Sequence, residues 1–325
     1  MNALEIHLDE HDQTRSLRAD VGTGLTAATR WLPPKWFYDA RGSELFEEIT
    51  RLPEYYPTRT ERGILATHAG DIARITEAKT LVELGSGSSD KTRLLIDALV
   101  SGGTLGAFVP LDVSAVALGE AVAGLTADYP GLSVRGVVGD LTRHLAFLPG
   151  GGPRLVAFLG GTIGNLVPVE RAAFLADLRA TLDEGEWLLL GTDLVKDPAV
   201  LVPAYDDAAG VTADFNRNVL RVLNRELGAD FDVDAFDHVA LWDDEREWIE
   251  MRLRSRRAQR VRIRDLDLTV DFAAGEQLRT EVSAKFRRAG VDAELAAAGF
   301  AMRHWWTDPD ALFAVSLAQA ATGSC

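Results

Sequence analysis

The sequence predicts an α/β fold built on a doubly wound, mostly parallel sheet, with a second, smaller α+β region. Between residues 80 and 197, short continuous apolar runs alternate with helical stretches, and after residue 197 the strands alternate polar and apolar residues instead. Continuous apolar runs are typical of parallel strands covered on both faces, whereas alternating runs indicate an antiparallel sheet with one wet face. The 325 residues suffice for one large domain or two coupled ones.

The first region alternates strand and helix. Its predicted elements are, in order, TLVELG, a helix over 91–99, FVPLDV, a helix over 115–125, SVRGVVGD, RLVAFLGG, a helix over 171–182 and EWLLLGTD. The final segment, FAMRHWWTDPDALFAVSLA, returns to strand, turn and strand, which would complete the sheet with an antiparallel edge pair. We therefore assign residues 58–198 and 285–325 to one domain.

Residues 1–57 and 199–284 are assigned to the second domain. Residues 199–227 are predicted to be helical, MRLRSRRAQRVRI and LDLTVDF to form two antiparallel strands, and helices to follow around Glu281 and Glu294. The prolines and aromatic residues of LPPKWFYDARGSELFEEITRLPEYYPTRTE suit a shaped wall or lid.

Charge and hydropathy exclude two classes of partner. The formal net charge of −15 repels a phosphate backbone, so nucleic acid is not expected as a partner. The basic stretch 252–264 alternates with apolar residues, which is typical of the wet face of strands. No apolar run approaches the ~18 residues that span a bilayer, and the acidic N-terminus MNALEIHLDEHD does not resemble a signal peptide. We expect a cytoplasmic monomer that acts on a small molecule.

Cysteine and histidine usage limits the chemistry further. The only cysteine is Cys325, which leaves no disulfide, thiolate zinc site or well-supported thiol nucleophile. His7 and His11 stand at helical ligand spacing, but no third ligand lies nearby in the sequence. No metal is therefore expected.

A glycine turn indicates the first ligand. Gly85-Ser86-Gly87 follows one predicted strand and precedes a helix, so the backbone can approach a ligand where helix-terminal N–H groups are available. Such turns also occur in α/β proteins that bind no cofactor. Asp90 occupies the position of the third glycine of a dinucleotide fingerprint, where a carboxylate disfavours a pyrophosphate. S-adenosylmethionine (SAM) has no phosphate, and its sulfonium tolerates an acidic residue such as Glu83.

Carboxylates at successive strand ends support an adenosine-containing ligand. Asp112 ends the second strand, where it can accept hydrogen bonds from both ribose hydroxyls. Asp140 ends the third strand, where it can accept from the adenine amino group while Leu141 packs on the ring. Each acid alone would equally fit a solvated strand end, but Glu83, Asp112 and Asp140 at three successive strand ends together favour SAM.

Two sets of motifs carry a family resemblance. VELGSGSSDK, PLDVS, VVGDL, FLGGTIGNL and LLLGTDLVKD resemble, in order and separation, the seven-stranded class I SAM-dependent methyltransferases. LPPKWFYD, LPEYYPTRTE, YDDAAGVTADFNRNVL, FAAGEQLRTEVSAKF and HWWTD resemble the L-histidine Nα-methyltransferases of ergothioneine biosynthesis, over nearly the whole chain. The resemblance implies a Rossmann-like methyltransferase sheet, a smaller substrate-binding domain, and trimethylation of the α-amino group of L-histidine to hercynine.

The resemblance also implies which residues bind the methyl donor. They are Gly85, Lys91, Asp112, Asp140 and Leu141. The chain departs from the family pattern at Leu141, where an aromatic residue is frequent, and at Gly161, where a small hydroxyl residue is frequent. Leu141 still offers an apolar face to adenine.

The residues implied for the acceptor are Tyr55, Asn165, Tyr205, Glu281 and Ser283. The first three can bind a carboxylate without placing a cation beside the sulfonium, and a carboxylate paired with a hydroxyl can read a neutral imidazole, which has one donor and one acceptor nitrogen. The same residues would otherwise be packing aromatics, a Gly-Asn turn and a solvated helix start.

Methyl transfer from a sulfonium is an in-line displacement, which needs alignment and exclusion of water more than a covalent nucleophile. The α-ammonium group must first lose a proton. We hypothesise that Tyr38, or a water near Asn165, helps to deprotonate and orient the amine. The segment GGTIGN differs from the Asn/Asp-Pro-Pro-aromatic signature of adenine-amino methyltransferases. Two alternatives remain, a methyltransferase of another aromatic amino acid or amine and a non-catalytic SAM-binding protein.

Overall fold

The computed structural model describes residues 3–87, 89, 91–148, 150 and 152–321, so Asp90 and Cys325 lie outside the described residues. The chain divides into two compact units. Unit 1 comprises Met1–Leu8, Pro57–Val195 and Lys285–Cys325, and unit 2 comprises Asp9–Tyr56 and Lys196–Ala284.

Within the described residues, the helices follow one another in chain order as α1 (Glu10–Thr26), α2 (Ala40–Ile49), α3 (Pro57–Thr76), α4 (Arg93–Ser101), α5 (Ala115–Asp128), α6 (Pro168–Thr181), α7 (Pro198–Leu201), α8 (Val211–Leu227) and α9 (Arg288–Ala297). The strands are β1 (Ala3–Ile6), β2 (Thr80–Leu84), β3 (Ala107–Asp112), β4 (Ser133–Val138), β5 (Arg154–Phe158), β6 (Trp187–Asp193), β7 (Phe236–Asp243), β8 (Trp248–Ser255), β9 (Gln259–Ile263), β10 (Leu268–Phe272), β11 (Gln277–Ala284), β12 (Phe300–Thr307) and β13 (Phe313–Ala320). None of these helices is both long enough and apolar enough to cross a bilayer.

The sheet of unit 1 has the strand order β1-β4-β3-β2-β5-β6-β13-β12. Its strands from β1 to β6 pair in parallel, while β13 runs antiparallel to β6 and β12 antiparallel to β13. The strands from β4 to β12 in this order are the predicted seven-stranded, doubly wound sheet with its antiparallel edge pair. Leu81 and Val82 of β2 are 0% exposed, as expected for a parallel strand covered on both faces.

The sheet has an eighth strand, β1, that was not predicted. Residues 1–57 were predicted to belong to the second domain, but β1 lies in the sheet of unit 1. It pairs in parallel with β4, from Ala3 opposite Arg135 to Ile6 opposite Val138. Leu4 packs against the small apolar cluster that α5 and β4 form on that side of the sheet. Adding β1 covers the edge of β4 and partly buries Leu4, which explains why residues 3–8 join unit 1.

The strand order determines where a ligand site forms in unit 1. The chain proceeds from β2 outward through β3 and β4, and it then returns to the other side of β2 as β5. In open α/β sheets, this change of direction leaves a crevice at the carboxyl ends of the strands on either side of it. The loops after β2, β3, β4 and β5 therefore converge at one edge of the sheet.

Unit 2 contains the three-stranded antiparallel sheet β11-β8-β7 and the antiparallel pair β9-β10. Helix α8 packs on β7 and β8, and α2 packs on α8. The predicted antiparallel character is confirmed, but the run MRLRSRRAQRVRI is divided between β8 and β9, and β9 is the strand that pairs with LDLTVDF. The predicted helix over 199–227 is also interrupted, because Gly210, at φ +77°, precedes the start of α8.

The helix predicted around Glu281 is wrong, because Glu281 lies in β11. The segment QLRTEVSA pairs with β8 along its length. Its β-branched Thr280 and Val282 are buried, so cross-strand packing outweighs the helical tendency of its neighbours.

Candidate active-site residues in the two units

The glycine turn after β2 leaves its backbone open. Gly85 and Gly87 have φ values of +68° and +49°, which glycine adopts without strain. A Cβ atom added at either position would meet nothing within 4 Å. The Gly85 N–H donates to the Leu111 carbonyl at 2.8 Å, which ties the turn to the end of β3. The turn thus keeps a fixed shape and has room for a ligand against its backbone.

Glu83 lies in β2, next to this turn, and is 4% exposed. The hydroxyl of Ser89 donates to its Oε2 at 2.7 Å, and the hydroxyl of Thr92 donates to its Oε1. Burial raises the pKa of Glu83 to about 7, although these two hydroxyls and the charge of Lys91 oppose the rise. The carboxyl group connects β2 to the residues that follow the turn.

Asp112 and Ser86 both suit an adenosine-containing ligand. Asp112 ends β3, where its Oδ2 accepts from the Gly87 N–H and its Oδ1 from the Ser114 N–H, each at 3.0 Å. These bonds fix the carboxylate beside the turn, and each oxygen retains a second lone pair for a ribose hydroxyl. Within the described residues, the buried Ser86 Oγ has no hydrogen-bond partner, and such an atom usually serves a ligand or water.

Asp140 and Leu141 follow β4, the next strand in the sheet. The Asp140 side chain is held by Thr142, whose backbone N–H and hydroxyl donate to Oδ1 at 2.8 and 2.6 Å. The Asp140 N–H donates to Nδ1 of His144 at 2.8 Å. Leu141 is half-buried in the same turn. The structure therefore brings Gly85, Asp112 and Asp140 to the carboxyl ends of three adjacent strands.

Lys91 has a partner that the sequence did not reveal. Its ammonium group pairs with Glu61 of α3, which is 0% exposed. Both carboxylate oxygens of Glu61 also accept from the Gly160 N–H, at 2.9 and 3.0 Å. A Cβ atom at Gly191 would collide with this carboxylate, so a larger residue there would displace Glu61 from its present position. No periodicity or motif distinguishes Glu61 in the sequence, because it is one acid in an ordinary helical pattern.

The loop after β5 carries Asn165, which lies in unit 1. Gly160 and Gly161 have φ values of +80° and +69°, and a 3₁₀ turn, Thr162–Asn165, follows them. A Cβ atom at Gly161 would lie 3.5 Å from the Phe313 ring, an ordinary contact. The left-handed backbone, and not a lack of space, therefore favours glycine at this departure from the family pattern.

The other predicted acceptor residues lie in unit 2. Tyr38, Phe46, Tyr55 and Tyr205 form a series of edge-to-face contacts with centroid distances of 5.6, 6.2 and 6.4 Å. Tyr55 and Tyr205 are buried, whereas Tyr38 is 37% exposed. The hydroxyls of Tyr205 and Ser283 lie 2.8 Å apart. The structure thus brings Tyr38, Tyr55, Tyr205 and Ser283 into one cluster.

A β-bulge sets which face of β11 carries Glu281 and Ser283. The pairing of β11 with β8 shifts by one residue between Arg279 and Glu281, which leaves Thr280 as the extra residue. After the shift, Glu281 lies opposite Met251 and Ser283 opposite Ile249. Directly opposed residues share a face of the sheet, so Glu281 and Ser283 lie on one face.

The raised pKa of Glu83 predicts a pH dependence of stability. Between pH about 4.5 and about 7, Glu83 is protonated in the folded protein and ionised in the unfolded chain. The free energy of unfolding should therefore fall as pH rises through this window, by about 3 kcal/mol from this residue. Glu83→Gln should remove this contribution, measured by urea unfolding at several pH values. Glu120→Gln, at an exposed site on α5, is the control. Identical pH profiles for wild type and Glu83→Gln would contradict the assignment.

Comparison with known proteins identifies the family of this chain. Residues 17–320 match the family model described as histidine-specific methyltransferase, SAM-dependent. The chain is 59% identical over 316 residues to the histidine N-alpha-methyltransferase of Mycolicibacterium smegmatis, covering 97% of this chain and 98% of that one. It is 57% identical over 312 residues to the histidine N-alpha-methyltransferase of Mycobacterium tuberculosis, covering 96% of this chain and 97% of that one.

A more distant relative is ergothioneine biosynthesis protein 1 of Neurospora crassa. It is 34% identical over 204 residues, which cover 61% of this chain and 23% of that protein. The family model and the two bacterial relatives extend over nearly the full chain and so include both units. The chain therefore belongs to the family of SAM-dependent, histidine-specific methyltransferases.

Proposed function

We propose that this protein transfers three methyl groups from SAM to the α-amino group of L-histidine, giving hercynine, a step of ergothioneine biosynthesis. The main support is the acceptor cluster of unit 2, where Glu281 and Ser283 share one face of β11 and Ser283 lies 2.8 Å from the Tyr205 hydroxyl. The names of the relatives agree with this acceptor. That the protein is a cytoplasmic monomer without a metal stays a prediction from the sequence.

Five residues of unit 1 are proposed to bind the donor, which supplies a methyl group on a sulfonium. Gly85 provides open backbone, Asp112 accepts from the ribose hydroxyls, and Asp140 accepts from the adenine amino group while Leu141 packs on the ring. Lys91 suits the carboxylate of the methionine part. Because Glu61 offsets the charge of Lys91, the ammonium adds little repulsion toward the sulfonium.

Different acceptor residues are proposed to bind the carboxylate and the imidazole of histidine. Tyr55 and Asn165 donate to the carboxylate, and Glu281 accepts from the imidazole N–H. The pair of Tyr205 and Ser283 donates to the carboxylate or to the imidazole. The Tyr205 and Ser283 hydroxyls share one hydrogen bond whose direction is open. If Ser283 donates, the Tyr205 hydrogen can go to the carboxylate; if Tyr205 donates, the Ser283 hydrogen can go to an imidazole nitrogen.

Each transfer begins with loss of a proton from the nitrogen. The amine lone pair then attacks the methyl carbon in line, the N–C bond forms, and sulfur leaves with the electrons of the broken C–S bond. Three transfers release three protons, and the quaternary product has no proton left to lose, so the sequence stops there. Tyr38, which packs edge-on against Phe46 and Phe215, is proposed to help deprotonate and orient the amine.

Mass spectrometry of the acceptor tests the function. Wild-type protein incubated with SAM and L-histidine should give species heavier by one, two and three methyl groups, with the trimethylated form accumulating. A mixture of the other amino acids is the control. Methylation of another aromatic amino acid without histidine would support the second methyltransferase hypothesis. Donor binding without transfer to any amino acid would support a binding protein.

The same assay tests Tyr38. Tyr38→Phe should lower kcat by about tenfold or more for at least one transfer, because general acid–base groups contribute at least that much. Tyr129→Phe is a matched control, since the Tyr129 hydroxyl bonds Asp97 of α4 in unit 1. Unchanged rates for all three transfers in Tyr38→Phe would remove Tyr38 from the mechanism.

A further inference from the structure

A buried hydrogen-bond network in unit 2 connects Thr280 of β11 to the backbone of Tyr205, a residue of the proposed acceptor cluster. The Thr280 hydroxyl bonds Oδ1 of Asn216 at 2.6 Å, and Nδ2 of Asn216 lies 2.8 Å from Nδ1 of His238. Nε2 of His238 lies 2.8 Å from the Tyr205 carbonyl oxygen. Thr280 and Asn216 are 0% exposed, and the His238 side chain is 2% exposed. None of the roles proposed above uses Asn216 or His238.

Two backbone carbonyls determine the direction of every bond in this network. The Asn216 side-chain atom nearest the Arg252 carbonyl, at 3.1 Å, must be the NH₂ group, because a carbonyl only accepts. The second hydrogen of that group then points to Nδ1 of His238, which must accept. Nε2 of His238 therefore carries the proton and donates to the Tyr205 carbonyl.

The network thus requires a neutral His238. Burial lowers the pKa of His238, which favours this form, although Asp206, 3.9 Å away, and Asp207 act in the opposite direction. The hydrogen bond to the Tyr205 carbonyl also opposes the lowering, while the charge of Arg217 supports it. The geometry alone already assigns each donor and acceptor.

This hydrogen-bond network joins the segments that carry the proposed acceptor residues. Thr280 is the extra residue of the bulge, and its hydroxyl also lies 3.0 Å from the Met251 carbonyl of β8. Asn216 lies on α8 and His238 on β7. At its other end, the network bonds the backbone carbonyl of Tyr205, and the Tyr205 side-chain hydroxyl is hydrogen-bonded to Ser283.

We propose that Asn216 and His238 are positioning residues for acceptor recognition. Asn216 fixes Thr280, the bulge residue that sets the face of Glu281 and Ser283, and His238 fixes the position of the Tyr205 backbone relative to the bulge. This proposal rests on the proposed function, because it assumes that these residues bind the acceptor. Neither residue touches the acceptor in this role; each acts through the segments it anchors.

Steady-state kinetics with separate variation of histidine and SAM test this role. Asn216→Ala and His238→Phe should raise the KM for histidine roughly tenfold or more, because small displacements of binding groups carry large penalties. The KM for SAM should stay within about twofold of wild type, since the donor residues lie in unit 1. His238→Gln, which retains an N–H donor for the Tyr205 carbonyl, should recover part of the loss.

Asn224→Ala is the matched control. Asn224 lies on the same helix α8 and exchanges two hydrogen bonds of 2.9 Å with the Phe231 backbone, away from the bulge. It should lower the melting temperature without raising the KM for histidine. If Asn216→Ala and His238→Phe behave like this control, the positioning role is wrong. If wild type does not methylate histidine at all, the proposed function fails instead.

Discussion

One β-bulge determines which side chains of β11 lie on the face that is proposed to meet the acceptor. Side chains alternate between the two faces of a strand, so a one-residue shift in pairing moves every later side chain to the other face. In β11 the shift occurs at Thr280, and it places Glu281 and Ser283 on the face of Met251 and Ile249. Without the shift, that face would carry Thr280 and Val282, which have no charge to offer an imidazole. Bulges often redirect side chains next to active sites.

The bulge is held by polar atoms that are wholly buried. A buried polar group is costly unless it is paired, so such a network favours one arrangement strongly over its neighbours. Here Thr280 has the Asn216 oxygen and the Met251 carbonyl as partners, and Asn216 continues to His238. Replacing any member leaves another without its partner. This network gives β11 a defined register at the place where specificity is proposed to lie.

In unit 1, the arrangement of acidic residues determines the charge around the proposed SAM site. The sulfonium of the proposed ligand SAM carries a positive charge, which the nearby acidic side chains tolerate. Glu83 and Glu61 are both buried, but Glu61 compensates Lys91, whereas Glu83 is paired with two neutral hydroxyls. Burial raises the pKa of Glu83 to about 7, against the opposing effect of these hydroxyls, while Lys91 does not leave an uncompensated cation beside a sulfonium. Asp112 and Asp140 are fixed by backbone N–H donors and by Thr142, which orients them without adding positive charge.

Much of unit 1 was predictable from the sequence, since its strands are continuous apolar runs that end in glycine or aspartate. The strand-end acids follow from that pattern, as the positions of Asp112 and Asp140 confirm. The N-terminal strand was missed because four residues give too short a pattern. Glu61 was missed because its importance depends on Lys91 and Gly160, which are 30 and 99 residues away.

Unit 2 was less predictable because its decisive features depend on pairing between distant segments. TEVSAKF was assigned to a helix, since Thr-Glu is an ordinary helix start, and only pairing with β8 makes it a strand. A bulge has no reliable local signature when the extra residue is not glycine. Asn216 and His238 lie 22 positions apart and are joined only in the folded unit. The family resemblance identified Glu281 and Ser283, but it did not explain how the fold directs them.

Calorimetric titration of Glu281→Ala with L-histidine and, separately, with SAM tests most directly whether the bulged strand of unit 2 recognises the acceptor. The wild-type carboxylate is proposed to accept the imidazole N–H, and hydrogen bonds to charged groups contribute about 1.5–3 kcal/mol. We expect the Kd for histidine to rise by roughly 10- to 100-fold and the Kd for SAM to remain within about twofold of wild type. Equal weakening of both ligands, or no weakening of histidine, would contradict the assignment of Glu281 as the reader of the acceptor side chain.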